Sequence, residues 1–249
     1  MSVEVHAQAG YRIAAPGFGT HLVSSDGAGI LSAVPRISAW RWQRLLFAQV
    51  VPLAATLQGL ELFHASAVER SGRVVGLIAA SGTGKSSIAA HLVSRGARYV
   101  ADDVLALEPV NGETVAHPGP ATASVYCSEL RSLGAAGARR VGVVIGQSDK
   151  VQLAVQPIEG ALPLEAIYFI DRRRDTIPFA IDEVRPPDPR LLLASSFISY
   201  LRTPEFLVGH LDACAQIAQS TQTFRVSVPA EFSAGDVADA LERHAEVAA

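Results

Sequence analysis

The chain has 249 residues, 49% of them hydrophobic and 18% charged, a balance that excludes an intrinsically disordered polymer. Its 21 Lys and Arg against 24 Asp and Glu leave a net charge of -3, so no overall basic field points to nucleic acid. It has no run of 18 apolar residues, no basic start followed by an apolar stretch, and only two cysteines; the expectation is a cytoplasmic protein with no membrane span.

Residues 1–37 are rich in Gly, Ser and β-branched side chains and read as short strands, with a turn at Asp26-Gly27. Residues 38–60 place Trp40, Trp42, Leu45, Leu46, Val50 and Leu53 at helical spacing, and Pro52 is expected to kink or end that helix. The two tryptophans read as core packing rather than as a ligand platform. From residue 60 the texture changes. Residues 63–68 (FHASAV) predict a strand, Ser71-Gly72 a turn, and 73–79 (RVVGLIA) a buried strand. A glycine-rich loop at 80–84, a helix at 86–94 and a cap at Gly96 follow. Next come a short strand at 98–101, Asp102 and Asp103, an extended stretch at 104–107, a hairpin turn at Asn111-Gly112 and a proline-rich loop at 117–122. The second half predicts strands near 141–145, 151–155, 166–170, 179–184 and 224–228. Its helices are expected near 190–200, 204–220 and 234–247, the last amphipathic. Pro186-Pro187-Asp188-Pro189 is the expected internal joint. The whole reads as a single α/β domain, with 1–59 a short β-rich region plus helix and 60–249 the core.

The sharpest motif is Ala79-Ala80-Ser81-Gly82-Thr83-Gly84-Lys85-Ser86. Against the phosphate-loop pattern G-x-x-x-x-G-K-[ST] it matches at Gly84, Lys85 and Ser86, and Ala79 replaces the first glycine. A predicted strand precedes it and a predicted helix follows. Glycines let backbone N–H groups converge on phosphate oxygens, and the helix start puts its positive end at the anion. The reading makes Ser81, Gly82, Thr83, Gly84, Lys85, Ser86 and Ser87 the phosphate cradle, with Lys85 on the outer phosphates and the Ser86 hydroxyl on Mg²⁺. Of the 21 cations only Lys85 and Lys150 are lysines, so each surviving lysine points to a task that wants a compact ammonium.

Asp102 and Asp103 follow Lys85 by 17 and 18 residues. One helix, one turn and one short strand fill that interval, a βαβ crossover that brings the aspartates beside the loop. One carboxylate can hold Mg²⁺ and the other can take the proton of an attacking hydroxyl. Lys150, Arg139, Arg140 and Arg172 to Arg174 are the further cations considered for the transferred group, Lys150 ahead of the rest, and the Arg172–Arg174 run reads as solvated charge. His91, His117 and His210 lack metal-like spacing, and no zinc site is expected.

Four pieces in order, F-H-A-S-A-V at 63–68, S-G-T-G-K-S at 81–86, R-G-A-R at 95–98 and A-D-D at 101–103, resemble the HPr kinase/phosphorylase C-terminal domain family. The resemblance covers residues 60–110. It implies a P-loop α/β domain akin to phosphoenolpyruvate carboxykinase. The implied activity is Mg²⁺-dependent phosphorylation of a serine hydroxyl with ATP, or sometimes pyrophosphate, as donor. It further implies that Asp103 is the catalytic acid/base, that Asp102 supports the metal or orients the nucleophile, and that His64 is the active-site histidine. About sixty residues precede the motif block and no R-G-L-G-type signature follows it, which separates the chain from full-length HPr kinases. Short relatives resemble lasso-peptide kinases, which phosphorylate the terminal serine of a precursor peptide, and the family often forms ring-like oligomers. The partner expected from the resemblance is thus a peptide or protein serine, and a homo-oligomer is compatible with it.

Two other classes stay open. A small-molecule kinase of the shikimate or gluconate type also places an Asp one βαβ step after the loop. A non-catalytic nucleotide-binding regulator would bind ATP without transfer.

Overall fold

The computed structural model describes residues 1–6, 10–172, 178–197, 201 and 203–248. Alternating short apolar and turn-forming segments give four strands at the start: β1 (Ser2–His6), β2 (Gly10–Ala15), β3 (Gly19–Val23) and β4 (Ile30–Ala33). They pair in sequence order as an antiparallel meander. The chain then enters α1 (Ala39–Leu45), a π-helical turn (Leu46–Val50) and α2 (Val51–Leu57). Of the two expected effects of Pro52, the helix does not end there; a π turn comes before it instead. Pro52 stands in the first turn of α2, directly after the π turn, where its missing N–H interrupts no regular ladder. Ile13, Val23, Leu45, Val50, Leu53 and Ala54 form a small separate core between this helix and the meander.

The remaining elements are β5 (Glu61–Phe63), β6 (Ala65–Arg70), β7 (Arg73–Ala79), α3 (Lys85–Ser94), β8 (Arg98–Ala101), β9 (Leu105–Val110), β10 (Glu113–His117) and β11 (Thr122–Val125). They continue with α4 (Cys127–Ser132), α5 (Gly134–Val141), β12 (Val143–Gln147), β13 (Val151–Ala154), β14 (Leu162–Arg172), β15 (Ala180–Glu183), α6 (Pro189–Leu193), α7 (Pro204–Ser220), β16 (Gln222–Val228) and α8 (Ala234–Ala248). The expected strand at 63–68 is interrupted at His64, where β5 leaves to pair with β9 while β6 pairs with β7 and β8. The helix expected over 190–200 is only the five residues of α6, and Tyr200 lies outside the described residues. The strand expected from 141 starts at Val143, because Val141 closes α5.

The main sheet is mixed. β14 runs parallel to β7 on one side and to β16 on the other, and near its start it pairs antiparallel with β10. Successive side chains of a strand point to opposite faces, and the cores divide accordingly. Tyr168 and Ile170 pack with Ile88, Leu92, Val237 and Leu241 under α3 and α8. Ile167 and Phe169 pack with Leu192, Cys214 and Ile217 under α6 and α7. The result is a three-layer α/β/α arrangement. Among the described residues no helix is long and apolar enough to cross a membrane.

The crossover from β7 through α3 to β8 departs from the simple expectation in one respect. β6 lies between β7 and β8 and is antiparallel to both. The two outer strands therefore still run in the same direction, and Ala67 of β6 faces Gly76 on one side and Ala101 on the other. The end of β8 is thus level with Gly76, and Asp102 and Asp103 continue from there toward the glycine-rich loop, with one strand interposed.

Candidate active site

Ala80 to Gly84 joins β7 to α3 as expected. Gly82 and Gly84 adopt positive φ values of 80° and 106°, a conformation that a side chain would strain. Thr83 N–H closes a turn on the Ala80 carbonyl at 3.2 Å, and the Ile88 N–H makes its helical bond to Gly84 at 2.8 Å. That leaves the N–H groups of Lys85, Ser86 and Ser87 as the first-turn donors a helix does not pair, with the positive end of α3 behind them. Ser81 and Gly82 are exposed, Thr83, Gly84 and Ser86 half-buried, and Lys85 and Ser87 buried. The Lys85 ammonium donates to the Ala79 carbonyl at 2.7 Å, at the motif position usually held by glycine. Burial pushes Lys85 below its ordinary pKa; Asp103 and then Asp102 pull it back up, and Lys150 pushes it further down.

The two aspartates differ in kind. Asp102 is tied at both oxygens: Ser66 Oγ donates to Oδ1 at 2.8 Å and the Ser124 N–H donates to Oδ2 at 2.8 Å. Asp103 has a side chain 58% exposed and a positive φ of 75°, a region that Asp enters more readily than most residues. His64 Nδ1 lies 3.0 Å from the Asp103 carbonyl oxygen and 3.3 Å from Oδ1. Both partner atoms are acceptors, so Nδ1 carries the proton, and in the neutral ring Nε2 is left as acceptor. His64 is held in turn: its N–H donates to the Ser195 carbonyl at 2.8 Å and its ring stacks on Phe197. A buried network of Glu61, His210 and Ser196 fixes that neighbouring segment. Glu61 accepts from His210 Nδ1, and Ser196 Oγ meets His210 Nε2 at 2.5 Å.

Ser86, Asp102, Asp103 and Lys150 line one cleft of about 650 Å³. Its opposite wall comes from the first sixty residues, through Phe18, Trp40 and Arg44. This corrects the reading of the tryptophans, because Trp40 is half-buried at the cleft rather than in a core. Lys150 sits 5.0 Å above the centre of the Tyr126 ring, a cation–π contact that keeps the ammonium at the cleft. The other proposed cations are elsewhere. Arg140, on α5, donates to the Ser94 carbonyl at the far end of α3, and Arg139 is exposed beside it on α5. Arg172 is not solvated charge: it reaches the Phe232 carbonyl at 2.5 Å and the Ala230 carbonyl at 3.4 Å. Arg173 and Arg174 lie outside the described residues. His91 faces Glu129, and His117 faces Glu108, both away from the cleft.

Sequence reasoning missed Ser66 and Ser124. Ser66 left a trace, as a polar residue in an apolar strand, and it is fully buried. Ser124 acts here through its main chain and left none. Tyr99 was also missed; its hydroxyl donates to the Ser86 carbonyl at 3.3 Å, and burial and the nearby Asp102 push its pKa well up.

No protein-family model and no curated protein sequence matches this chain. Among solved structures it is similar to the Hpr(Ser) kinase/phosphatase from Coxiella burnetii. That similarity has a TM-score of 0.38 and 14% identity, over 74% of this chain and 96% of that one.

Proposed function

We propose that the protein is a Mg²⁺-dependent kinase that moves the terminal phosphoryl group of ATP to a serine hydroxyl of a peptide or protein. The observation that carries this reading is the pairing of a fixed and a free carboxylate at one cleft. Asp102 is immobilised by Ser66 and Ser124, while Asp103 stands exposed against His64, with Ser86 on the same wall. Phosphoryl transfer asks for that division: one group to hold charge in place and one to accept a proton.

Ser86 Oγ and Asp102 are hard oxygen donors and fit Mg²⁺, which when bound supplies charge neutralisation at the donor phosphates. The first-turn amides of α3 and Lys85 hold the donor's phosphates. In this reading the Asp103 carboxylate takes the hydroxyl proton as the serine oxygen bonds to phosphorus, and the bond from phosphorus to the leaving diphosphate oxygen breaks. His64, protonated at Nδ1, orients Asp103. Lys150 faces the transferred group from across the cleft. The exposed Asp103 favours a chain-borne hydroxyl over a small metabolite, which needs an enclosed site. The test is Asp103→Asn assayed with ATP, Mg²⁺ and serine peptides by mass spectrometry. We expect nucleotide binding to persist while the +80 Da product disappears; full transfer by the variant removes the base assignment.

A further inference from the structure

A second cavity of about 390 Å³ adjoins the cleft. It shares Phe18, Trp40, Arg44 and Ser148 with the cleft and adds Arg41 and Gln147. Trp40 is set by its neighbour on β12. A Cβ placed on Gly146 would lie 2.3 Å from the indole ring, so only glycine lets the ring rest on that backbone. The β12–β13 register also shifts between Val144 and Gly146. The irregularity and the missing side chain together hold the indole at the border of the two cavities.

Arg41 and Arg44 are three residues apart on α1 and therefore lie on neighbouring positions of one face. Both are exposed, and neither is ion-paired with a described residue. On the core, by contrast, Arg70, Arg95 and Arg98 each hold a carboxylate within 2.8 Å. Two free guanidiniums against an aromatic wall match a carboxylate attached to an apolar stem, since the planar fork meets two oxygens at once.

The direction of the cleft says whose carboxylate this is. Ser86, Asp102 and Asp103 line it, whereas residues 81–84 do not. In the kinase reading the loop side is left to the leaving diphosphate and its nucleoside. In-line displacement brings the acceptor from the opposite side, past Asp103. We propose that the second cavity is an acceptor subsite in which Arg44 and Arg41 bind a carboxylate of the incoming peptide and Trp40 and Phe18 contact its apolar portion. The proposal rests on the kinase reading above, and it assigns the first sixty residues a part in substrate choice.

The test measures binding without turnover. In Trp42→Phe protein Trp40 is the remaining indole, and its fluorescence reports on the cavity. Serine hexapeptides carrying Glu or Gln at each position in turn, with free or amidated C-termini, are titrated without nucleotide. At least one carboxylate-bearing peptide should bind roughly tenfold tighter than its neutral counterpart. That ratio should fall to about one in Arg44→Ala or Arg41→Ala, with ATP binding unchanged. The position of the effective carboxylate separates a side chain from the chain terminus. Equal binding of charged and neutral peptides, no binding of either, or a charge preference that survives both Arg substitutions overturns the subsite. So does a loss of ATP affinity in the Arg variants. Because no phosphoryl transfer is measured, a failure here leaves the Asp103→Asn result standing, and the reverse holds as well.

Discussion

The two walls of the cleft are made differently. The core wall is built from Ser86 in the first turn of α3, Asp102 bonded at both oxygens, and Asp103 in a left-handed conformation. The opposite wall is side chain: Trp40 and Arg44 on a seven-residue helix, resting on a core of six buried residues. A reaction tolerates little error in position, and the groups proposed for it stand at the ends of elements packed on the main sheet. Recognition of a partner tolerates more and is free to vary, so it sits on a separately packed unit.

Several substitutions test this division, beginning with the strongest. Asp103→Asn should reduce phosphoryl transfer by roughly 10²–10⁴-fold with little change in melting temperature, as measured by product mass and calorimetry. Leu53→Ala empties a fully buried site in the small core and should destabilise that unit by about 2–5 kcal/mol. Both tryptophans lie on α1, so their fluorescence transition should then precede the far-UV transition of the core; coincident transitions would mean the walls unfold as one. Ser66→Ala removes one of the two bonds that fix Asp102 and should weaken Mg²⁺ affinity by roughly 10–100-fold, seen as a rise in the Mg²⁺ concentration needed for half-maximal rate. The smallest effect is electrostatic. Removing the Asp103 charge takes away the largest influence raising the Lys85 pKa, so Asp103→Asn should lower that pKa further. With two lysines in the chain, carbon-13 NMR of labelled lysine reads both directly.

Much of the core wall was legible in the sequence because its signals are local. The β7 strand, the loop, α3 and the short β8 strand follow one another with turn residues at each joint, and Asn111-Gly112 turns between β9 and β10 as expected. The placement of Asp102 and Asp103 beside Lys85 followed from the same spacing. What the spacing did not convey was the strand between: β6 precedes β7 in sequence, and only its pairing with both neighbours reveals that it fills the gap. The opposite wall was misread because a tryptophan at helical spacing has the same pattern whether it packs inward or lines a cleft. Gly146, one hundred residues further on, decides that for Trp40. Helix α4 went unseen because it is six residues long, and α5 because Gly134 and Gly137 dilute a short amphipathic pattern.

The placement of β6 also governs how the molecule can move. Ser66 belongs to the strand that is laced to both β7 and β8, and His64 stands at the bend directly before that strand. Loop, acid pair and histidine are consequently parts of one stiff body. The helix bearing the two tryptophans lies outside the main sheet and meets the cleft through the contact of Trp40 with Gly146 of β12.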